Sequence, residues 1–211
     1  MGKNSIMNHS LVLKMLDWAY NKALTGIGGV DSAIELANSY LSQDTSLEKQ
    51  VDSLINWQVA KAGTSGFITG FGGLATMPFT LPANIASVIY LQIRMIAAIA
   101  YMGGYDIRSD QVKSLIYVCM LGNGAKELLK DLGIKAGQKL MANIIKDIST
   151  KTFIYVNQKV GYKLLTKFGE KGISNFGKAI PLAGGIIGGG IDASSTKIIG
   201  KVAKKMFIAT K

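Results

Sequence analysis

The chain has 211 residues, of which 48% are hydrophobic and 18% charged, with 24 Lys and Arg against 13 Asp and Glu. This hydrophobicity excludes an intrinsically disordered protein, and the length is enough to bury the core of a domain. The single cysteine, Cys119, excludes an intrachain disulfide. Its apolar surroundings predict a buried, inert thiol.

The positive charge belongs entirely to the second half of the chain. Residues 1–105 contain six basic and six acidic side chains, whereas residues 106–211 contain 18 basic and seven acidic ones, a net charge of +11. Such asymmetry indicates an anionic partner for the second half. Because 22 of the 24 cations are lysines, diffuse attraction to anionic membrane lipid is favoured over bidentate readout of nucleic acid. A protein partner stays open.

Apolar residues recur at helical spacing along most of the chain and no strand pattern is present, so the sequence predicts an all-α fold. Two helix starts carry cap signals, Ser32 with Glu35 and Thr45 with Glu48. The first helix carries the stripe Leu13, Leu16, Tyr20 and Leu24 and ends at Gly26. The further predicted helices cover about 32–41, 45–62, 80–102, 110–121, 125–132, 134–148, 150–168 and 193–208.

One apolar segment dominates the first half. Between Ala62 and Tyr105 the only formal charge is Arg94, and this length exceeds the roughly 20 residues that cross a bilayer as a helix. Glycines and prolines interrupt the segment, which predicts a helical hairpin, with Thr80 as a plausible cap of its second arm. The interrupting residues are Gly66, Gly70, Gly73, Pro78 and Pro82.

A second glycine-rich apolar segment, residues 179–191, carries Pro181 and the spacing-four pair Gly184 and Gly188. Asp192 follows it directly. Since a buried guanidinium requires a carboxylate or several carbonyl partners, we expect an Arg94–Asp192 ion pair that joins the two apolar segments. The alternative is that Arg94 extends to solvent or caps a helix C-terminus.

The two glycine-rich segments and their flanks resemble the EcsC family, a set of mostly bacterial proteins. The similar stretches are residues 66–73, 81–84, 92–100, 104–106 and 180–185, and the resemblance extends from about Leu11 to Phe207. Asp192 stands where the family pattern more often has asparagine. The family is named for a protein encoded beside an ABC transporter, so the resemblance implies membrane-linked biology and brings no catalytic residues.

Lysines recur every four residues in two places, which puts each set along one helix face. Basic amphipathic helices of this kind lie on anionic membranes, although a solvated helix face gives the same pattern. We therefore name these lysines as candidate lipid-binding residues. They are Lys159, Lys163, Lys167 and Lys171, with Val160, Leu164 and Phe168 beside them, and Lys197, Lys201 and Lys205, with Ile198, Val202 and Phe207 beside them.

No motif predicts an enzyme, and no catalytic residue, metal ligand or cofactor is expected. His9 is the only histidine, so the serines lack a histidine that acts as a base. We place His9 in an N-terminal tail, residues 1–10. Gly70–Gly73 lacks the Lys-Ser/Thr of a phosphate-binding loop, and the acidic residues form no metal-ligand cluster.

These observations predict one helical domain over residues 11–208, with a neutral half, 11–105, and a basic half, 106–208. A secretory signal is absent from the N-terminus, so a cytoplasmic protein is expected, peripheral to the inner membrane or inserted in it conditionally. Export by a route that needs no cleaved signal is the alternative. Insertion would resemble a pore-forming toxin, in which a bundle hides an apolar hairpin. A constitutive membrane span stays open. The alternative is a soluble accessory module for a transporter or secretion system.

Overall fold

The computed structural model describes residues 9–63, 83–131, 150–168 and 184–208. Within these ranges the chain forms eight α-helices and no strand, which confirms the all-α prediction. A short 3-10 turn, Gly122–Gly124, joins α5 to α6. The helices are α1 His9–Thr25, α2 Ala33–Leu41, α3 Leu47–Ala62, α4 Ala83–Met102, α5 Asp110–Cys119, α6 Ala125–Asp131, α7 Thr150–Phe168 and α8 Gly184–Phe207.

Helix α4, the second arm of the expected hairpin, lies at the centre of the bundle. It packs against α1, α2, α3, α5 and α8, and every side chain from Ile89 to Ala100 is buried. A helix that is apolar on all sides is buried by other helices on all sides. None of the helices in the described ranges combines the length and apolarity needed to cross a membrane.

Helix α1 covers one side of α4 with an apolar stripe. Leu16 and Tyr20 are buried, as the sequence predicts. The Tyr20 hydroxyl donates to the Ile107 carbonyl, and Tyr117 of α5 donates to Asp17 Oδ1 at 2.8 Å. Burial raises the pKa of Tyr20 to about 12, so its hydroxyl keeps its proton. The two hydrogen bonds hold α1 against α5 and the loop that precedes it.

The predicted capping box of α2 is confirmed. The Ser32 hydroxyl accepts the backbone N–H of Glu35 at 3.2 Å, and the Glu35 carboxylate accepts the N–H of Ser32 at 2.8 Å. These bonds lower the pKa of Glu35 because they favour its ionised form. The cap of α3 was predicted wrongly: Ser46 is the N-cap, since Thr45 belongs to a turn whose carbonyl accepts from Gln50 Nε2.

Helix α8 begins at Gly184, nine residues before the predicted start at 193. Glycine costs about 1 kcal/mol in a helix interior, a penalty that tertiary packing often overrides. Several predicted features lie outside the described residues. They are the glycine and proline positions 66, 70, 73, 78, 82 and 181, the predicted cap Thr80 and the predicted helix 134–148. The hairpin therefore stays a prediction.

Cys119 lies at the end of α5 with no exposed surface. Its thiol donates to the Met206 sulfur at 3.5 Å, across the contact between α5 and α8. Complete burial raises the pKa of the thiol, which leaves it protonated and weakly nucleophilic. The prediction of a buried cysteine is confirmed.

Candidate functional site

The lysine set of α8 lies on one exposed side of the helix. Lys197, Lys201 and Lys205 are all exposed. The neighbouring Lys204 instead turns inward, where its Nζ lies 2.7 Å from the Asp52 carboxylate of α3. The opposite side of α8 contributes Ile199, Ala203 and Met206 to the core. The structure thus brings the three predicted residues together on the exposed side of the helix.

Close contacts determine which side of α8 faces outward. A Cβ on Gly200 would lie 2.9 Å from Ile55 Cγ2, so α3 and α8 approach closely at this point. Gln92 of α4 donates to the hydroxyls of Thr196 at 3.0 Å and Ser195 at 3.1 Å. Because these contacts hold the inner side of α8, Lys197, Lys201 and Lys205 face solvent.

The described lysines of the α7 set differ in their surroundings. Lys163 turns towards α6, where its Nζ lies 3.5 Å from the Glu127 carboxylate. Lys159 is exposed, with its Nζ 5.5 Å from the centre of the Tyr155 ring. The side chain of Lys167 and the whole of Lys171 lie outside the described residues. Of the predicted set, Lys159 is the one described side chain that is fully available at the surface.

The apolar neighbours of the α7 lysines differ from the expected ones. Val160 and Leu164 have no exposed surface and belong to the core, because this side of α7 packs on α1 and α5. On α8, Phe207 is likewise buried. The residues that accompany Lys159 at the surface are instead Ile154, Tyr155 and Tyr162, exposed by 50%, 41% and 62%.

The spacing of these exposed residues was visible in the sequence. Tyr155, Lys159 and Tyr162 are four and three residues apart, which places them on one helix face. The face also includes Gln158, and His9 of α1 lies beside it. His9 belongs to α1 and not to a tail, since its Nε2–H donates to the Gln158 carbonyl at 3.0 Å.

The segment from α5 to α6 lies against both basic helices, α7 and α8. Ile198 of α8 packs over Gly122, in the turn that precedes α6. On the other side, Glu127 of α6 meets Lys163 of α7. The exposed lysines Lys126 and Lys130 of α6 lie in the same segment. This segment thus contacts both basic helices through Gly122 and Glu127.

Arg94 lies inside the bundle, with 2% of its surface exposed, which excludes the alternative that it extends to solvent. Its Nη1 donates to the Asp31 carbonyl at 2.9 Å, and its Nη2 donates to Gln58 Oε1 at 3.4 Å. The Tyr90 ring lies 5.9 Å from the guanidinium carbon. Burial lowers the pKa of Arg94. These contacts connect α4 to α3 and to the loop before α2.

The Arg94–Asp192 ion pair stays a prediction. Gly184, Gly188 and Asp192 lie in α8, but the described side chains of that helix begin at Ala193. Among the described side chains, no carboxylate forms an ion pair with Arg94. In the same parts of the chain, no group of His, Cys, Asp and Glu residues has the arrangement of a metal site.

Residues 36–208 match the model of the EcsC protein family. This range includes both lysine-bearing helices and the buried Arg94, and it covers most of the chain. The chain belongs to the EcsC family. No curated protein and no solved structure matches it. The resemblance that the glycine-rich motifs carry is thereby confirmed.

Proposed function

We propose that this EcsC-family protein is a non-enzymatic protein that associates with anionic membrane surfaces through its basic helices. The observation that carries the proposal is the row of exposed lysines on α8, Lys197, Lys201 and Lys205, on a helix whose opposite side is packed in the core. A docked helix presents its charges without an ordering cost at the moment of binding.

The energetics favour a lipid surface as the partner. Each lysine near an anionic membrane contributes about 1 kcal/mol, so three of them supply about 3 kcal/mol. Lysines at spacing four repel one another and cost the isolated helix a few tenths of a kcal/mol. An anionic surface relieves that repulsion. Because the attraction is electrostatic, it weakens as ionic strength rises.

The exposed face of α7 adds the features of an interfacial contact. Tyr155 and Tyr162 combine an apolar ring with a polar hydroxyl, a composition enriched at the boundary between lipid and water. Ile154 supplies an exposed apolar side chain beside them, and Lys159 supplies the charge. This combination supports binding through both basic helices.

The test is charge reversal on α8. The triple variant Lys197→Glu, Lys201→Glu and Lys205→Glu is expected to weaken binding to phosphatidylglycerol-containing vesicles at least 100-fold, since about 3 kcal/mol of attraction is lost. The matched control reverses Lys14, Lys22 and Lys49, which lie in the half without net charge. Each variant lowers the net charge by six, so the two differ only in the position of the replaced lysines. Vesicle co-sedimentation at several salt concentrations measures the effect.

Equal weakening by the two triple variants would show that net charge alone drives binding and would remove the role of α8. If the parent protein did not bind anionic vesicles, the proposed membrane association would be wrong. That result would favour the alternative function, an accessory module that binds a transporter or secretion system. Circular dichroism of each variant shows whether the helices are retained.

We further propose that the apolar hairpin inserts conditionally when the protein reaches a membrane. Trp57 supports this proposal, because it is 55% exposed near the end of α3, seven residues before the start of the segment 64–82. Tryptophan at such a position is typical of an interfacial anchor. Lys61 Nζ lies 5.6 Å from its ring.

Trp57 also reports on insertion. In a Trp18→Phe variant, Trp57 is the remaining tryptophan, and its emission is expected to shift to the blue and to be quenched by brominated acyl chains in anionic vesicles. Vesicles of phosphatidylcholine alone are the control. Insertion would be contradicted if the protein co-sediments with the vesicles while its tryptophan emission stays unchanged and the vesicles retain an entrapped dye. The protein would then bind only at the membrane surface.

A further inference from the structure

A pocket of about 330 Å³ lies on the exposed face of α7, where α1 begins. Two tyrosine rings contribute to its walls, and Lys159, Gln158 and His9 bring polar groups to it. No carboxylate is among the described residues that line it. The pocket therefore combines apolar walls with a positive charge, and its lining residues are His9, Tyr155, Gln158, Lys159 and Tyr162.

The fold builds this pocket through a close approach of two helices. A Cβ on Gly161 would lie 2.9 Å from His9 Nε2 and 3.0 Å from Leu13 Cδ2, so the absence of a side chain at 161 lets α1 lie directly on α7. His9 then reaches the Gln158 carbonyl, where its Nε2–H donates at 3.0 Å. This bond holds the imidazole at the edge of the pocket.

Lys159 stays beside the pocket although it is exposed. Its Nζ lies 5.5 Å from the centre of the Tyr155 ring, a distance at which a cation is attracted to the face of an aromatic ring. Tyr162, 62% exposed, lies three residues further along the same face. A ligand with one anionic group and an adjoining apolar part matches both components.

We propose that this pocket binds one anionic phospholipid molecule. Its phosphate contacts Lys159, and its glycerol and first acyl carbons lie against the rings of Tyr155 and Tyr162. This inference rests on the membrane association proposed above and assigns to α7 a defined lipid site in addition to the diffuse attraction of α8. A free phosphate would contact the lysine alone and leave the tyrosine rings without a partner, so the lipid is favoured.

The experiment uses the full chain labelled with ¹⁵N and monomeric dihexanoyl phosphatidylglycerol below its micelle concentration. We expect saturable chemical-shift changes in the amides of residues 155–162. The variants Lys159→Gln and Tyr162→Ser alter exposed side chains and are each expected to raise the dissociation constant about tenfold. Lys49→Gln, which changes an exposed lysine on α3, is the matched control and is expected to leave the constant unchanged.

Two further ligands decide which part of the lipid is recognised. Glycerol phosphate and dihexanoyl phosphatidylcholine are each expected to bind at least tenfold more weakly, because one lacks the acyl carbons and the other lacks the net charge. Equal binding of glycerol phosphate would overturn the lipid site in favour of a phosphate site. Equal binding of phosphatidylcholine would remove the role assigned to Lys159.

The outcomes separate this site from the general membrane association. If the labelled protein shows no saturable change with the monomeric lipid while the parent still binds anionic vesicles, the pocket is not a lipid site and the surface binding of α8 stands. If Lys49→Gln weakens monomer binding as much as Lys159→Gln does, the ligand lies elsewhere and the inference is wrong.

Discussion

Replacing Arg94 by alanine is expected to lower the free energy of unfolding by about 4 kcal/mol, a value typical of the loss of a large buried side chain together with its polar contacts. Arg94 is 2% exposed at the centre of the bundle. Alanine would leave a cavity there and would remove the donors that the Asp31 carbonyl and Gln58 Oε1 now accept. Urea denaturation followed by circular dichroism measures the change.

The variant Arg94→Met separates the volume of the side chain from its charge. Methionine fills much of the same space and avoids the cost of burying a guanidinium, so we expect it to lose less than half as much stability as alanine. A loss as large as that of Arg94→Ala would show instead that the hydrogen bonds of the guanidinium outweigh its volume. Combining Arg94→Met with Asp192→Asn tests the predicted ion pair, since the two effects add if the side chains do not interact.

Gly103→Ala is expected to lower the free energy of unfolding by about 3 kcal/mol, at the upper end of the range for overpacked sites. Gly103 follows α4, and a Cβ at this position would collide with the backbone carbonyl oxygen of Phe207 at the end of α8. A backbone atom cannot turn aside as a flexible side chain does. The same contact includes Tyr105, whose ring lies 5.3 Å from that of Phe207. Urea denaturation and amide hydrogen exchange in α8 measure the effect.

The matched control is Gly124→Ala. A Cβ on Gly124 would lie 3.7 Å from Leu121 Cβ, an ordinary contact, so a change below about 1 kcal/mol is expected. If Gly103→Ala were as stable as the parent and its α8 amides stayed protected, the end of α8 would not be docked on α4 as described. The outward direction of the α8 lysines would then need another explanation.

Features that depend on neighbouring residues could be predicted from the sequence. The capping box formed by Ser32 and Glu35, the end of α1 at Gly26 and the end of α4 before Gly103 all follow from backbone chemistry within a few residues. The cap of α3 could not be chosen this way, because Thr45 and Ser46 have similar cap preferences. The turn that includes Gln50 decided between them.

The environment of Arg94 required the tertiary structure. The sequence marks it as the one charge in a long apolar segment, and a buried position follows from that. Its two hydrogen-bond partners, however, lie 63 and 36 residues away along the chain, and one of them is a backbone carbonyl that no sequence pattern identifies. The spacing of residues along one helix does not predict such contacts.

By itself, the sequence determined the all-α class, most helix ends, the family and the positive charge of the second half, because helical periodicity, caps and composition are local properties. Only the tertiary structure decided which lysines meet solvent. A period of four places Lys159 and Lys163 on one stripe, yet Lys163 lies 3.5 Å from the Glu127 carboxylate of α6, whereas Lys159 lies beside two exposed tyrosines. The packed neighbours of a helix, and not its own period, determine which part of its polar side reaches a partner.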